Sequence, residues 1–304
     1  MIYNRIALIG LGLIAGSIGL AVRKRGLAGE TTGSASTAKS REIARNRGLV
    51  DHVCKTNAEA VAGADLVILC VPVGVMDAVA AEIAPHLAEG ATVTDVGSVK
   101  RAVIDAVAPH MPGYVEFVPG HPIAGTENSG PDAGFAALFE NRWFLMTPTE
   151  STSEAAVARL QDFWEGMGAL VARMDPDHHD RVLAVTSHVP HLIAYTMVGV
   201  ADDLRRVTNQ EVVNFSAAGF RDFTRIAASD PTMWRDVFLN NRQATLEILG
   251  RFTEEIFALQ RAIRRGDGEH LFNHFSRTRN IRRGIIDAGQ DTAEPNFGRS
   301  AGGL

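Results

Sequence analysis

Cysteine is nearly absent: the 304 residues contain two, Cys54 and Cys70. Two thiols build no disulfide framework, and their spacing is not that of metal ligands. Cys70 sits within Leu66-Val67-Ile68-Leu69-Cys70-Val71, where a free thiol behaves as a small buried hydrophobe. A reducing, cytoplasmic setting is therefore expected. A surplus of charge is missing as well. The net charge of −5, with 21% charged residues, gives no general pull towards nucleic acid or an anionic membrane surface. Lysine stops at Lys100, so lysine chemistry is excluded from everything that follows. Internal repeats and low-complexity blocks are lacking. The one long uncharged stretch, residues 6–22, is flanked by Arg5 and Arg23-Lys24-Arg25. It falls short of the about 20 apolar residues that a membrane span needs and is rich in glycine. Strand and helix patterns follow it directly, so the membrane reading gives way to a globular one.

What is present is enough apolar material for a sizeable core, 46% of the chain. Short apolar runs at residues 5–9, 31–35, 65–71, 91–95, 115–118 and 143–146 read as strands. Amphipathic stretches such as 75–83 and 100–107 lie between them. That alternation predicts a parallel sheet covered on both faces. A helix at 153–166 and a short strand at 169–173 close this unit. After Asp175-Pro176 no β-rich run recurs, and helical periodicity continues from 180 almost to 284. Phe252, Ile256, Leu259 and Ile263 form one apolar stripe there. The chain thus divides into 1–175, an all-helical 176–290, and a tail, 291–304, with little to bury and an expected lack of order.

Residues Gly10-Leu11-Gly12-Leu13-Ile14-Ala15-Gly16-Ser17 follow the first strand and open the first helix. Gly10 permits the tight turn, Gly12 lets backbone approach a pyrophosphate, and Ala15 fills the small-residue position where helix meets strand. Such a motif is weak alone, but at the head of a strand–helix array it is the dinucleotide fingerprint. The fold class is α/β: an N-terminal Rossmann doubly wound parallel sheet with an all-α C-terminal domain. Leu13, Ile14, Val71 and Pro72 are further cofactor contacts. An NAD site carries an acid at the end of the second strand. Here the sequence reads Gly33-Ser34-Ala35-Ser36-Thr37-Ala38-Lys39-Ser40-Arg41, without a carboxylate. Ser34, Ser36 and Thr37 with Lys39 or Arg41 suit a 2′-phosphate, which favours NADP over NAD. The competing reading makes them the solvated first turn of a helix.

Three more clusters carry chemistry. Asp95-Val96-Gly97-Ser98-Val99-Lys100 follows a strand at the carboxyl edge where ligands bind in open sheets. Gly120-His121-Pro122-Ile123-Ala124-Gly125-Thr126 follows the next strand as a shaped loop. Ser187-His188-Val189-Pro190-His191 opens the helical region, and Gly219-Phe220-Arg221-Asp222-Phe223-Thr224-Arg225-Ile226 lies beyond it. Each has a plainer explanation. Ser98 could only cap its helix, His121 could be a loop histidine, and Arg225 could belong to a structural ion pair. His188 and His191 are three apart, yet no third ligand at suitable spacing supports zinc, so no metal is expected.

Together these clusters, with His179-Asp180 and Ser229-Asp230-Pro231-Thr232-Met233-Trp234-Arg235-Asp236, resemble the prephenate and arogenate dehydrogenase family of tyrosine biosynthesis. The resemblance runs from Gly10 to about Arg283, and its departure is Ala35, where NAD-using members carry an acid. It implies oxidative decarboxylation of a cyclohexadiene, with hydride passing to NAD or NADP. It further implies that His121 accepts the 4-hydroxyl proton and that Ser98 orients that hydroxyl. Arg225 would bind a substrate carboxylate with Asp180 holding it in place, while His188, His191, Ser187 and Thr126 line the pocket. Members pair through the helical domain, so a homodimer is implied, with Val198, Val200, Leu204, Leu246, Leu249, Phe252 and Phe257 as candidates for the shared surface. Two other readings compete. A β-hydroxyacid-type dehydrogenase needs a junction lysine that is absent here, and a non-catalytic dinucleotide sensor would not need His121, Ser98 and Arg225 together.

Overall fold

Six parallel strands form the principal sheet: β1 (Tyr3–Ile9), β2 (Ala28–Ser34), β3 (His52–Val53), β4 (Leu66–Leu69), β5 (Thr92–Asp95) and β6 (Glu116–Val118), in the order β3-β2-β1-β4-β5-β6. The computed structural model describes residues 1–126, 128–205 and 217–287. The Leu204 side chain and the tail 291–304 lie outside the described residues. The strand order reverses between β1 and β4, the switch point of a doubly wound dinucleotide-binding sheet. Strands there are buried on both faces, which is why Ile6, Ala7, Leu8 and Ile9 and all of β4 are fully buried.

Helices α1 (Leu13–Arg25), α2 (Ala38–Asn46), α3 (Asn57–Val61), α4 (Met76–Ile83) and α5 (Arg101–Val107) connect the strands. The uncharged stretch 6–22 is split at Gly10 between β1 and α1, so it forms no continuous helix. Arg23, Lys24 and Arg25 occupy the last turn of α1, opposing the negative end of its dipole. One core lies on the face covered by α1 and α6 (Glu154–Gly166), where Trp164 stacks on Phe144. The other holds Met76, Ile83, Val103 and Val107 on the opposite face, together with Trp234 and Val237 from further along the chain.

The sheet differs from expectation in one respect. Residues 143–146 and 170–173 do not extend the parallel sheet but join β7 (Gly120–Pro122) in a second one, with β8 (Trp143–Met146) central and β9 (Leu170–Arg173) outermost. β7 runs antiparallel to β8, pairing His121 with Leu145. Apolar alternation predicts a strand but not which edge it joins. The residue that admits this pairing is Gly120, since a Cβ there would collide with the Phe144 ring.

The helical region begins with α7 (Pro176–Leu183), whose Asp175 side chain accepts from His178 N while Pro176 occupies the first turn. A widened π turn, Ala184–His188, leads into α8 (Val189–Arg205) just ahead of Pro190, which has no N–H to give. Then come α9 (Ala218–Thr224), a 3-10 turn at Arg225–Ala228, α10 (Pro231–Asn240), α11 (Arg242–Arg265) and α12 (Gly268–Asp287). Among the described residues one helical run, Pro176–Asp203, is long and apolar enough to cross a membrane by length and composition. It also carries the buried polar residues His179, Asp180 and His188. By packing, the chain divides into Met1–Leu246 and Glu247–Leu304, so α7 to α10 share a unit with the sheets.

Candidate active site

Strand register sets the level of the site. Ser34, Ile9, Leu69 and Asp95 lie in one row across the sheet, so the loops leaving β1, β4 and β5 open together at its carboxyl edge. Gly10 has φ 98°, and a Cβ there would meet the Cys70 carbonyl oxygen and Val71 Cγ1 at 2.9 Å. Only glycine satisfies both demands. Gly12 caps α1 without a side chain, its first turn has no acid, and nothing lies within 4 Å of where a Gly12 Cβ would be. The N–H groups of Leu13 and Ile14 lie in the first turn of α1, where a helix has no partner of its own for them. Val71 is half-buried and Pro72 exposed on the adjoining loop.

At the end of β2, Ser34 turns inward and donates to Asn57 Oδ1 at 2.6 Å. Thr37 caps α2, accepting from Ser40 N at 3.0 Å. Ser34 is thus a buried strand residue rather than part of a solvated helix turn, Thr37 is the N-cap of α2, and Ser36 stays exposed. Arg41 donates to the Ala35 carbonyl oxygen at 2.5 Å, laying a guanidinium across the strand end.

A buried polar network lies beneath the β5 loop. The Asp95 carboxylate accepts from Gly97 N at 2.7 Å, from Gly120 N at 3.1 Å and from the Lys100 ammonium, which also donates to the Gly120 carbonyl oxygen. Both charged side chains are fully buried. Burial draws the Lys100 pKa below its ordinary value even though the Asp95 charge opposes this. Lys100 so fastens the end of β5 to the residue preceding His121. Ser98 sits half-buried in the loop, two residues before the N-cap of α5. It does not cap that helix, which removes the plainer explanation for it.

Asp180 performs that cap from another element. Its carboxylate accepts from Lys100 N at 2.7 Å and Arg101 N at 3.0 Å, at the positive end of α5. Its third donor is His179 Nδ1 at 2.9 Å. Burial pushes the Asp180 carboxyl upward, but these hydrogen bonds outweigh it and hold the group below the usual carboxylate range. Asp180 is therefore committed to the α5 terminus and to His179, and the expected task of holding Arg225 is not the one its contacts give it. His179 Nε2 lies 2.9 Å from His121 Nδ1. Burial, then the neighbouring His179, Lys100 and His188, keeps His121 well below the ordinary histidine pKa. Its ring is neutral.

His188, from the π turn, is fully buried, and burial takes it down to about 4. Asn241 Nδ2 donates to the Asp180 carbonyl oxygen at 2.8 Å and lies 3.0 Å from His188 Nδ1. A carbonyl only accepts, so the amide nitrogen is identified, and His188 must accept at Nδ1 and carry its proton at Nε2. That Nε2 makes no well-formed hydrogen bond, although the Ser98 main chain lies beside the ring. His191 donates from Nδ1 to the Ser187 carbonyl oxygen at 2.8 Å and stacks on Trp234 with ring centroids 3.7 Å apart. Arg225 is exposed at the start of the 3-10 turn and near enough to His191 to depress its pKa further, after burial. Tyr195 ties that turn to α8 through a 2.7 Å bond to the Ser229 carbonyl oxygen. Ser187 is half-buried, whereas Thr126 is exposed and accepts from Asn128 N. No cluster of metal-ligating side chains occurs among the described residues.

The sequence assigns no role to His179 and does not mark Asn241. His179 adjoins Asp180 in a quoted motif, which was a usable signal. Asn241 had none, because its partners lie 53 and 61 positions away.

Comparison with known proteins places the chain in one family. Residues 18–173 match the family model of the prephenate dehydrogenase nucleotide-binding domain, and residues 175–277 match that of the prephenate dehydrogenase dimerization domain. Cyclohexadienyl dehydrogenase of Zymomonas mobilis is 41% identical over 283 residues, covering 92% of this chain and 96% of its own. The crystal structure of Aquifex aeolicus prephenate dehydrogenase in complex with hydroxyphenyl propionate and NAD+ superposes with TM-score 0.85 at 32% identity, over 93% of this chain and 98% of that one. Synechocystis arogenate dehydrogenase follows at TM-score 0.76 and 28% identity, over 92% and 99%. Two adjoining domain models in order, a relative matched over nearly its whole length and a glycine fingerprint on the expected edge lead to one assignment: the chain belongs to the prephenate dehydrogenase family.

Proposed function

We propose that this protein oxidatively decarboxylates prephenate, arogenate or both, passing a hydride to NADP in preference to NAD and giving 4-hydroxyphenylpyruvate or tyrosine. The observation that carries the reading is His121: neutral, held at Nδ1 by His179, and with no partner at Nε2 among the described residues. With its pyrophosphate held at the Gly10–Gly12 turn, a bound dinucleotide would supply the acceptor for the hydride leaving C4. His121 Nε2 accepts the 4-hydroxyl proton as that carbon becomes a carbonyl. Loss of the ring carboxylate as carbon dioxide then returns electrons to the ring, and the oxygen recovers its proton as a phenol. Ser98 orients the hydroxyl. His188, His191, Ser187 and Thr126 line the substrate space with Trp234 as a wall behind His191. The β-hydroxyacid alternative loses its last lysine, since Lys100 is buried against Asp95. Functionally the chain divides into 1–175 for the dinucleotide and 176–290 for substrate and pairing, in a cytoplasmic enzyme.

Arg225 anchors a substrate carboxylate in its planar fork. Arg225→Ala should raise KM by an amount equivalent to about 1.5–3 kcal/mol, the range for a charged hydrogen bond. Arg225→Lys should recover only part of it. An unchanged KM in the alanine variant would leave the carboxylate without this anchor.

The cofactor preference rests on the missing acid at Ala35 and on Arg41 lying across the strand end. The decisive assay is a two-by-two comparison of prephenate and arogenate with NAD and NADP. Ala35→Asp should move preference towards NAD, and a wild type already strongly selective for NAD would reverse the assignment. Formation of reduced cofactor with neither substrate would remove the functional reading altogether.

Two copies pair through the helical domain. Val198, Val200, Leu246 and Phe257 carry exposed apolar side chains, Leu249 and Phe252 are half-buried, and the family model over 175–277 is described as a dimerization domain. Isologous contacts of the obligate kind bury about 2,000 Å² or more. Sedimentation at micromolar concentration should give a species of twice the chain mass, whereas a fully active single chain would rule the pairing out.

A further inference from the structure

The hydrogen bonds behind His121 have a fixed direction. Asp180 accepts from two main-chain N–H groups and from His179 Nδ1. A carboxylate with these donors is ionised, so His179 carries its proton at Nδ1 and, being neutral, accepts at Nε2. The atom 2.9 Å from that lone pair is His121 Nδ1, which must donate. His121 is left with a lone pair at Nε2, the tautomer that a proton acceptor needs.

We propose that His179 and Asp180 are positioning residues that fix this tautomer and take over the positive charge of His121, storing the substrate proton one imidazole away from the reacting carbon. This rests on reading His121 as the proton acceptor. As the substrate O–H bond breaks, an N–H bond forms at His121 Nε2. The N–H bond at His121 Nδ1 then breaks as one forms at His179 Nε2, leaving an imidazolium beside the Asp180 carboxylate. When carbon dioxide leaves, the same bonds reverse and the proton returns to the 4-oxygen, so none is gained or lost.

The surroundings favour the charge on the second ring. Every charged or titratable neighbour that acts on His121, namely His179, Lys100 and His188, opposes a positive charge there. Around His179, Lys100 opposes it, whereas Asp180 and Asp95 support it. Burial disfavours a charge on either ring, but with the Asp180 hydrogen bond at its back His179 is lowered, whereas His121 is held well below its ordinary value, so of the two rings His179 is the better seat for the proton.

His179→Gln separates the two tasks in the full chain. The amide oxygen can accept from His121 Nδ1–H, but the amide cannot take a proton. Nitrogen-15 spectra of histidine-labelled, substrate-free protein should show His121 as the Nδ1–H tautomer in wild type and in His179→Gln, and should lose it in His179→Phe. With substrate, His179→Gln should keep KM and lose about 10- to 100-fold in kcat, within the usual scale of acid–base assistance. Wild-type kcat in His179→Gln would overturn the proton store. An Nε2–H His121 in the wild-type spectrum would overturn the whole arrangement, whether or not either variant folds. Because that spectrum needs no turnover, it is independent of the substrate assay that tests the enzymatic reading.

Discussion

His121→Ala should lower kcat by about 10²- to 10⁴-fold, the scale of lost general-base assistance. Cofactor binding should change little. The glycine turn and α1 terminus that receive the dinucleotide are built by β1, β4 and α1, whereas His121 stands on β7 in a different sheet. The pH dependence follows from the sign of the shift. Only the neutral ring accepts a proton, and burial together with His179, Lys100 and His188 lowers the His121 pKa. The working form therefore persists at acidities where a solvent-exposed histidine, titrating near about 6.5, would be half protonated. The acid limb of kcat/KM should lie below that value. A near-wild-type kcat in the alanine variant would remove His121 from the mechanism.

The cofactor half of this molecule was legible because its signals are local. A strand, a glycine turn and a helix start lie within twenty residues, and the chemistry that demands Gly10, a left-handed φ and a close carbonyl, acts over the same short span. The polar cluster around His121 can be read from the sequence as residue types but not as wiring. The plainer reading of Ser98, that it caps its helix, fails for a reason that lies far along the chain. The α5 terminus is instead satisfied by Asp180, some eighty positions away. The assignment of Asp180 to Arg225 failed for the same reason: no sequence spacing reveals which of several distant donors a carboxylate will meet. β7 was hidden because its three residues, Gly120-His121-Pro122, give no periodicity. It becomes a strand only when Gly120 lets Phe144 approach.

The arrangement that holds His121 in place carries its own cost, and Lys100→Met should expose it. The methionine replaces the ammonium with a side chain of similar length that donates no hydrogen bond. Asp95 would then remain fully buried with only the N–H groups of Gly97 and Gly120 to balance its charge. Breaking a buried pair on one side typically costs about 3–5 kcal/mol, because the surviving ion is stranded away from water. Set against the 5–15 kcal/mol that stabilises an ordinary domain, about a third of the total is at stake. The urea midpoint should fall accordingly, and Asp95→Asn added to Lys100→Met should recover part of the loss, since the stranded charge is gone. A second readout tests the link to His121. The Lys100 ammonium is among the groups that depress the His121 pKa, so its removal should move the acid limb of kcat/KM upward, towards the ordinary histidine value. Activity should also drop, because the Gly120 carbonyl beside His121 loses its anchor. A Lys100→Met protein with an unshifted urea midpoint would mean that water reaches Asp95, and an unshifted acid limb would separate Lys100 from the acceptor it stands behind.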